Sequence, residues 1–171
     1  MPDLRWVLYD TATFVSTLTS TPTVHVLFQT AEGVDPATKH GGVTNMRGNG
    51  ALPPDEKFTV LYVHVYPDAE IPEADIAQIW NQSRLRIYLG DTELLQVPLR
   101  FCASLTGYSG HFTQATAANR ALIGLENWGY HVDPPVELPG GARFRVVVEQ
   151  YTALSGNRPI KVALEGILTR P

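Results

Sequence analysis

The chain has 171 residues, 44% of them apolar, which suits one domain of ordinary size spanning residues 1–171. Acidic residues outnumber basic ones, 17 to 13, for a net charge of −4. That argues against sequence-independent binding of phosphate backbones, which needs a basic face, and no sequence-specific nucleic acid is expected as a partner. The single cysteine, Cys102, excludes an intrachain disulfide, so the fold does not depend on an oxidising compartment and the thiol is expected to be buried and inert.

The N-terminus, Met1-Pro2-Asp3-Leu4-Arg5-Trp6, lacks the basic segment and apolar run of a secretory leader. No stretch approaches the roughly 18 apolar residues needed to cross a bilayer. The expectation is a soluble protein made in a cytoplasm, where the sequon Asn81-Gln82-Ser83 has no role. Thirteen prolines and fourteen glycines break the chain into short segments that favour strands and turns over helices.

Period-two alternation then recurs along the chain. In Thr23–Gln29, Val24, Val26 and Phe28 share one face and His25 and Gln29 the other. A long irregular stretch, Thr30 to Glu56, follows; its Asn45–Gly50 run has no Gly-Lys-Ser/Thr ending and reads as a turn, not a phosphate loop. Pro53-Pro54-Asp55 leads into a strand from Phe58 to Tyr66. There Leu61, Val63 and Val65 form an aliphatic face opposite Phe58, Val60, Tyr62, His64 and Tyr66. An uncharged aromatic face of this kind implies a cover, either a nearby helix or a neighbouring subunit. The acids Asp68, Glu70, Glu73 and Asp75 read as a solvated junction whose last members favour the positive end of a helix, ahead of a Ca²⁺ site. That helix, begun by Pro72, places Ile76, Ile79 and Trp80 on one face and ends near Asn81–Ser83.

Arg84–Leu89 places Leu85, Ile87 and Leu89 inward. Gly90-Asp91 reads as a tight hairpin into Leu95–Leu99, where Pro98 marks an edge or bulged strand. A second irregular stretch, Cys102 to Pro135, carries Tyr108, Trp128 and Tyr130. These aromatics suit a sugar-stacking platform, an interface, or a local cover on the end of the sandwich. Its Gly107–His111 run lacks the second glycine of a nucleophile elbow. Pro139-Gly140-Gly141 precedes a strand with Phe144, Val146 and Val148 inward, and Ser155–Pro159 a last one with Ile160, Val162, Leu164 and Leu168 inward. Such a series with one short helix predicts an all-β fold of two packed sheets or a closed barrel. The five histidines, His25, His40, His64, His111 and His131, fall at no metal-ligand spacing. The expectation is therefore no enzyme, no metal and no cofactor.

Four segments also carry a resemblance: Leu52–Leu61, the hairpin Leu85–Leu99, Val136–Val146 and Ile160–Pro171. Together they resemble single-jelly-roll capsid proteins, of the smaller-subunit type, of tailless icosahedral bacteriophages with an internal membrane, among them phages infecting Thermus. The resemblance spans Leu52 to Pro171. It implies a single jelly roll, an eight-stranded β-barrel or sandwich, in a thermophilic virion. It further implies a structural protein that forms a homo-oligomer, a dimer, and assembles with a second, larger capsid protein into an icosahedral shell, with contact to the internal membrane. Synthesis in the host cytoplasm and residence in the virion capsid follow. The expected subunit interface draws on Tyr62, His64, Tyr66, Trp80, Tyr108, Trp128 and Tyr130. The alternative reading is a carbohydrate-binding β-sandwich.

Overall fold

In a computed structural model, which describes residues 3–34, 39–67, 71–103 and 129–170, the alternating segments become eight antiparallel strands in two sheets. In chain order they are β1 (Leu4–Phe14), β2 (Thr23–Leu27), β3 (Lys57–Pro67), α1 (Glu73–Asn81), β4 (Ser83–Leu89), β5 (Thr92–Pro98), a 3₁₀ turn (Leu99–Cys102), β6 (Tyr130–Pro139), β7 (Phe144–Gln150) and β8 (Arg158–Thr169). One sheet has the order β1-β8-β3-β6 and the other β2-β7-β4-β5. Strand 1 pairs with 8, 2 with 7, 3 with 6 and 4 with 5. A chain folded once between β4 and β5 and then rolled makes those pairs, and rolling adds β3·β8 and β4·β7. The order is consistent with the single jelly roll expected from the sequence.

The core lies between the sheets. Phe58, Val60, Val63 and Val65 of β3 meet Ile160, Val162 and Leu164 of β8 and, from the other sheet, Leu85, Ile87, Phe144, Val146 and Val148. Cys102 is buried, and burial pushes its thiol up to about 12, which leaves it protonated and unreactive at neutral pH.

Three strand readings need correction. First, the two faces of β3 change over part-way. A β-bulge at Leu61 shifts the register on both neighbours, so Val60 pairs with Gly166 but Tyr62 with the next residue, Glu165. Phe58 and Val60 therefore face the core together with Val63 and Val65, while Tyr62, His64 and Tyr66 face out. Second, β2 is turned over: His25 and Leu27 face in, and Val24 and Val26 stand outside, 51% and 48% exposed. Phe28 is buried although it follows Val24 and Val26 in period, because its φ of 64° ends the strand and swings the side chain round. Third, Tyr130–Pro135 is not irregular but the first part of β6. The N-terminal strand β1, without a counterpart in the sequence reading, pairs along its full length with β8.

Buried polar groups fix the loops. Asp10 of β1 is fully buried and accepts from the Phe28 N–H at 2.6 Å and from Lys39 Nζ at 2.5 Å. Asp75 is also buried, not solvated: it accepts from the Ser155 N–H and hydroxyl at 2.8 and 2.6 Å and pairs with Arg158. Of the other acids near it, Asp68 and Glu70 lie outside the described residues.

The bulge makes a strict demand on β8. A Cβ at Gly166 would lie 1.9 Å from the Thr59 carbonyl oxygen, whereas at Gly90, with φ +58°, nothing lies within 4 Å. Gly166→Ala must displace backbone and is expected to cost about 3 kcal/mol, against about 1 kcal/mol for the strained but uncrowded Gly90→Ala. Urea unfolding of both variants checks this; a Gly166→Ala midpoint equal to wild type would show that the β3–β8 crossing is not the tight contact described.

Candidate interaction surface

The bulge delivers three aromatic rings to the outer face of the first sheet, and cross-strand pairing sets their neighbours. Tyr62 lies between Glu165 and His131, His64 is opposite Ala163, and Tyr66 is opposite Lys161. The rings form a ladder: Tyr62 to His131 is 5.1 Å between centroids, Tyr62 to His64 6.2 Å and His64 to Tyr66 6.1 Å. On the adjoining β1, Tyr9 carries Lys161 Nζ over its ring at 5.1 Å.

The expected uncharged face is not what these neighbours make. Glu165 Oε2 lies 2.9 Å from His64 Nε2, and Glu165 Oε1 pairs with Arg5 of β1. Three strands are thus joined by Arg5, Glu165 and His64. Since an ionised carboxylate only accepts, His64 donates through Nε2. Loss of hydration lowers the pKa of His64; the Glu165 hydrogen bond and charge pull it part of the way back, and Arg5 lowers it further. For Glu165, desolvation pushes upward, but Arg5 and His64 outweigh it and the carboxyl stays below its usual range.

Among the described residues the helix packs chiefly against the 3₁₀ turn and β4 rather than against β3. Trp80 and Tyr130 are partly buried and pack against the core. The structure therefore brings Tyr62, His64 and Tyr66 together on one outer face, sets Trp80 and Tyr130 inward, and leaves Tyr108 and Trp128 outside the described residues. Of the sugar-stacking trio only Tyr130 is described.

The second sheet has its own outer cluster, which the sequence reading did not single out. Glu149 of β7 accepts from Arg84 Nε and Nη2 at 2.8 and 2.6 Å and from the Tyr151 hydroxyl at 2.8 Å, and Arg86 lies 3.3 Å from its other oxygen. Desolvation raises the Glu149 pKa, yet these partners lower it more. The cluster borders the exposed Val24 and Val26, because Val24 pairs with Glu149 and Val26 with Val147. Among the described residues, no group of three or more His, Cys, Asp or Glu is placed to hold a metal ion, and no helix is long and apolar enough to cross a membrane.

No protein-family model, curated protein or solved structure matches the chain.

Two histidines, the partly buried His25 and the buried His64, set the pH dependence. His25 stacks on Phe14 at 4.8 Å between centroids and bonds Gln150 Oε1 at 2.9 Å. Burial lowers its pKa, the Gln150 bond opposing. The unfolded chain therefore takes up protons below about pH 6.5 before the native one does. Stability is full above that value and falls as pH drops through it. Asp75, Glu149 and Glu165 have native values below the unfolded ones, so their contribution is present above about pH 4 and is lost below it. Thermal melts should show a first loss between about pH 6.5 and 5 that shrinks in His25→Gln and His64→Gln; a Tm flat across that window would contradict the histidine burial.

Proposed function

We propose that this chain is a structural capsid subunit: a jelly-roll block that self-associates, as a dimer, and joins a second, larger coat protein in an icosahedral virion shell. The observation that carries the reading is the strand pairing 1/8, 2/7, 3/6 and 4/5 in two antiparallel sheets, which supports a rolled brick whose faces, not a cleft, meet the outside. The outer faces add support. Tyr62 pairs with Glu165, which Arg5 holds, and Tyr66 with Lys161; Tyr88 lies beside Arg86 and Arg145, and Tyr151 beside Arg84. Tyrosine with arginine is the composition favoured at protein contacts. Shell assembly multiplies modest contacts through multivalency, so each pairwise interface need supply little affinity.

Light scattering of the purified 18.8 kDa chain tests the reading. A mass of about twice the monomer is expected at micromolar concentration, with further growth when a larger coat protein from the same source is added. Tyr62→Glu with Tyr66→Glu should raise the dimer dissociation constant at least about tenfold, roughly 1.4 kcal/mol. A chain that stays monomeric at every concentration, and joins no particle protein, would overturn it.

A further inference from the structure

The start of β6 is attached to β3 by two residue pairs, Tyr62 with His131 and Val63 with Tyr130, set apart from the longer ladder of Lys57–Val60 with Val136–Pro139. Gly129 precedes them at φ +81°, and a Cβ there would lie 2.5 Å from His64 Nδ1 and 2.7 Å from the Val63 carbonyl oxygen. The His64 ring therefore occupies the space that a side chain at residue 129 would need, and only glycine lets the backbone pass there. The other nitrogen, Nε2, is held by Glu165, so the neutral ring keeps its proton there and Nδ1 is bare. Nδ1 is buried and has no hydrogen-bond partner among the described residues.

We propose that His64 is an acid-operated latch on the start of β6: the neutral ring lets Gly129 close over Nδ1, and protonation of Nδ1 drives Gly129 off and frees Tyr130 and His131 from β3. A bare ring nitrogen tolerates a dry contact, but an N–H in the same place needs an acceptor or water, which the closed Gly129 contact does not supply. Among the described residues, the titratable and charged groups facing this part of the sheet are Glu165 and Lys161 of β8, Arg5 and Tyr9 of β1, Tyr62 and Tyr66 of β3, and His131 of β6. Glu165 favours the protonated ring, but Arg5 shares its charge and opposes a second cation there. Release relieves both the desolvation and the crowding of the ring. The unit freed is small, two residue pairs at the end of a ladder, so local opening is expected well before global unfolding. The latch does not rest on the capsid reading.

Imidazole nitrogen NMR and amide hydrogen exchange on the full chain, from about pH 7.5 to about pH 5, test the proposal. At the upper end His64 should be the Nε2–H tautomer. On acidification, after correction for intrinsic exchange, the Tyr130 and His131 amides should exchange about tenfold faster, the change that one pKa unit between closed and open states produces. His64→Gln should abolish this response and His131→Gln should keep it. An unchanged wild-type rate, a response surviving in His64→Gln, or one lost in His131→Gln overturns the latch. Should His64→Gln fail to fold, the wild-type titration decides: the Gly129 amide shift must follow the His64 ring, and following His131 instead refutes the proposal.

Discussion

One extra residue, Leu61, divides β3 into halves of opposite facing, and much of the first sheet depends on it. Without the bulge, strict alternation would place Phe58 and Val60 in the core only by burying Tyr62, His64 and Tyr66 as well, or expose all five together. With it, four aliphatic and aromatic side chains enter the core and three rings leave it. The extra residue needs space on the neighbour, and β8 supplies it at Gly166, whose missing side chain admits the Thr59 carbonyl. The position of Glu165 follows: it is the first β8 residue after the shift, paired with Tyr62 and within reach of His64 and Arg5.

The sheet edges are treated unequally. The backbone of β1 is masked along Val7–Thr11 by the segment Gly41–Asn45. Asn45 accepts from the Tyr9 N–H at 2.8 Å and donates to the Val7 carbonyl at 2.7 Å, as a paired strand would, and Thr11 donates to the Val43 carbonyl. At β5, Pro98 closes the strand and Glu93 lies outside; at β6, Pro134, Pro135 and Pro139 remove donors. Among these edges β2 alone presents two exposed valines and no charge or proline. Val24 and Val26 thus form the least protected edge among the described strands.

How far these features can be read from residues alone follows from what each depends on. In β4, β7 and β8 period alone places Leu85, Ile87, Val146, Val148, Ile160 and Val162 inward, and the structure buries them. β1 does not alternate in that way. Its inner row reads Leu4, Trp6, Leu8, Asp10, Ala12, Phe14 and its outer row Arg5, Val7, Tyr9, Thr11, and Asp10 faces in only because Lys39 and the Phe28 N–H meet it there. β2 misled because Phe28 matches the period of the valines but has left the strand. The aromatic rings of β3 were readable as a set; their partners were not, since Glu165 lies 101 residues from His64 and only the rolled strand order brings β8 beside β3.

The same long-range closure accounts for the electrostatics. His25 is held by Gln150, His64 by Glu165, Asp75 by Ser155 and Arg158, and Arg84 by Glu149, each bond joining elements distant in sequence. Desolvation acts against the charged form of the two histidines and of Asp75, Glu149 and Glu165, yet the carboxylates and histidines respond in opposite ways. The carboxylates gain cationic or hydroxyl partners strong enough to stay ionised. The histidines gain a single acceptor each and stay neutral. Near neutral pH the sandwich therefore holds ionised acids and uncharged imidazoles together, and acid works against both. Protonating a histidine inserts a charge where only a neutral ring fits, and protonating a carboxylate removes the charge that binds one strand to the next.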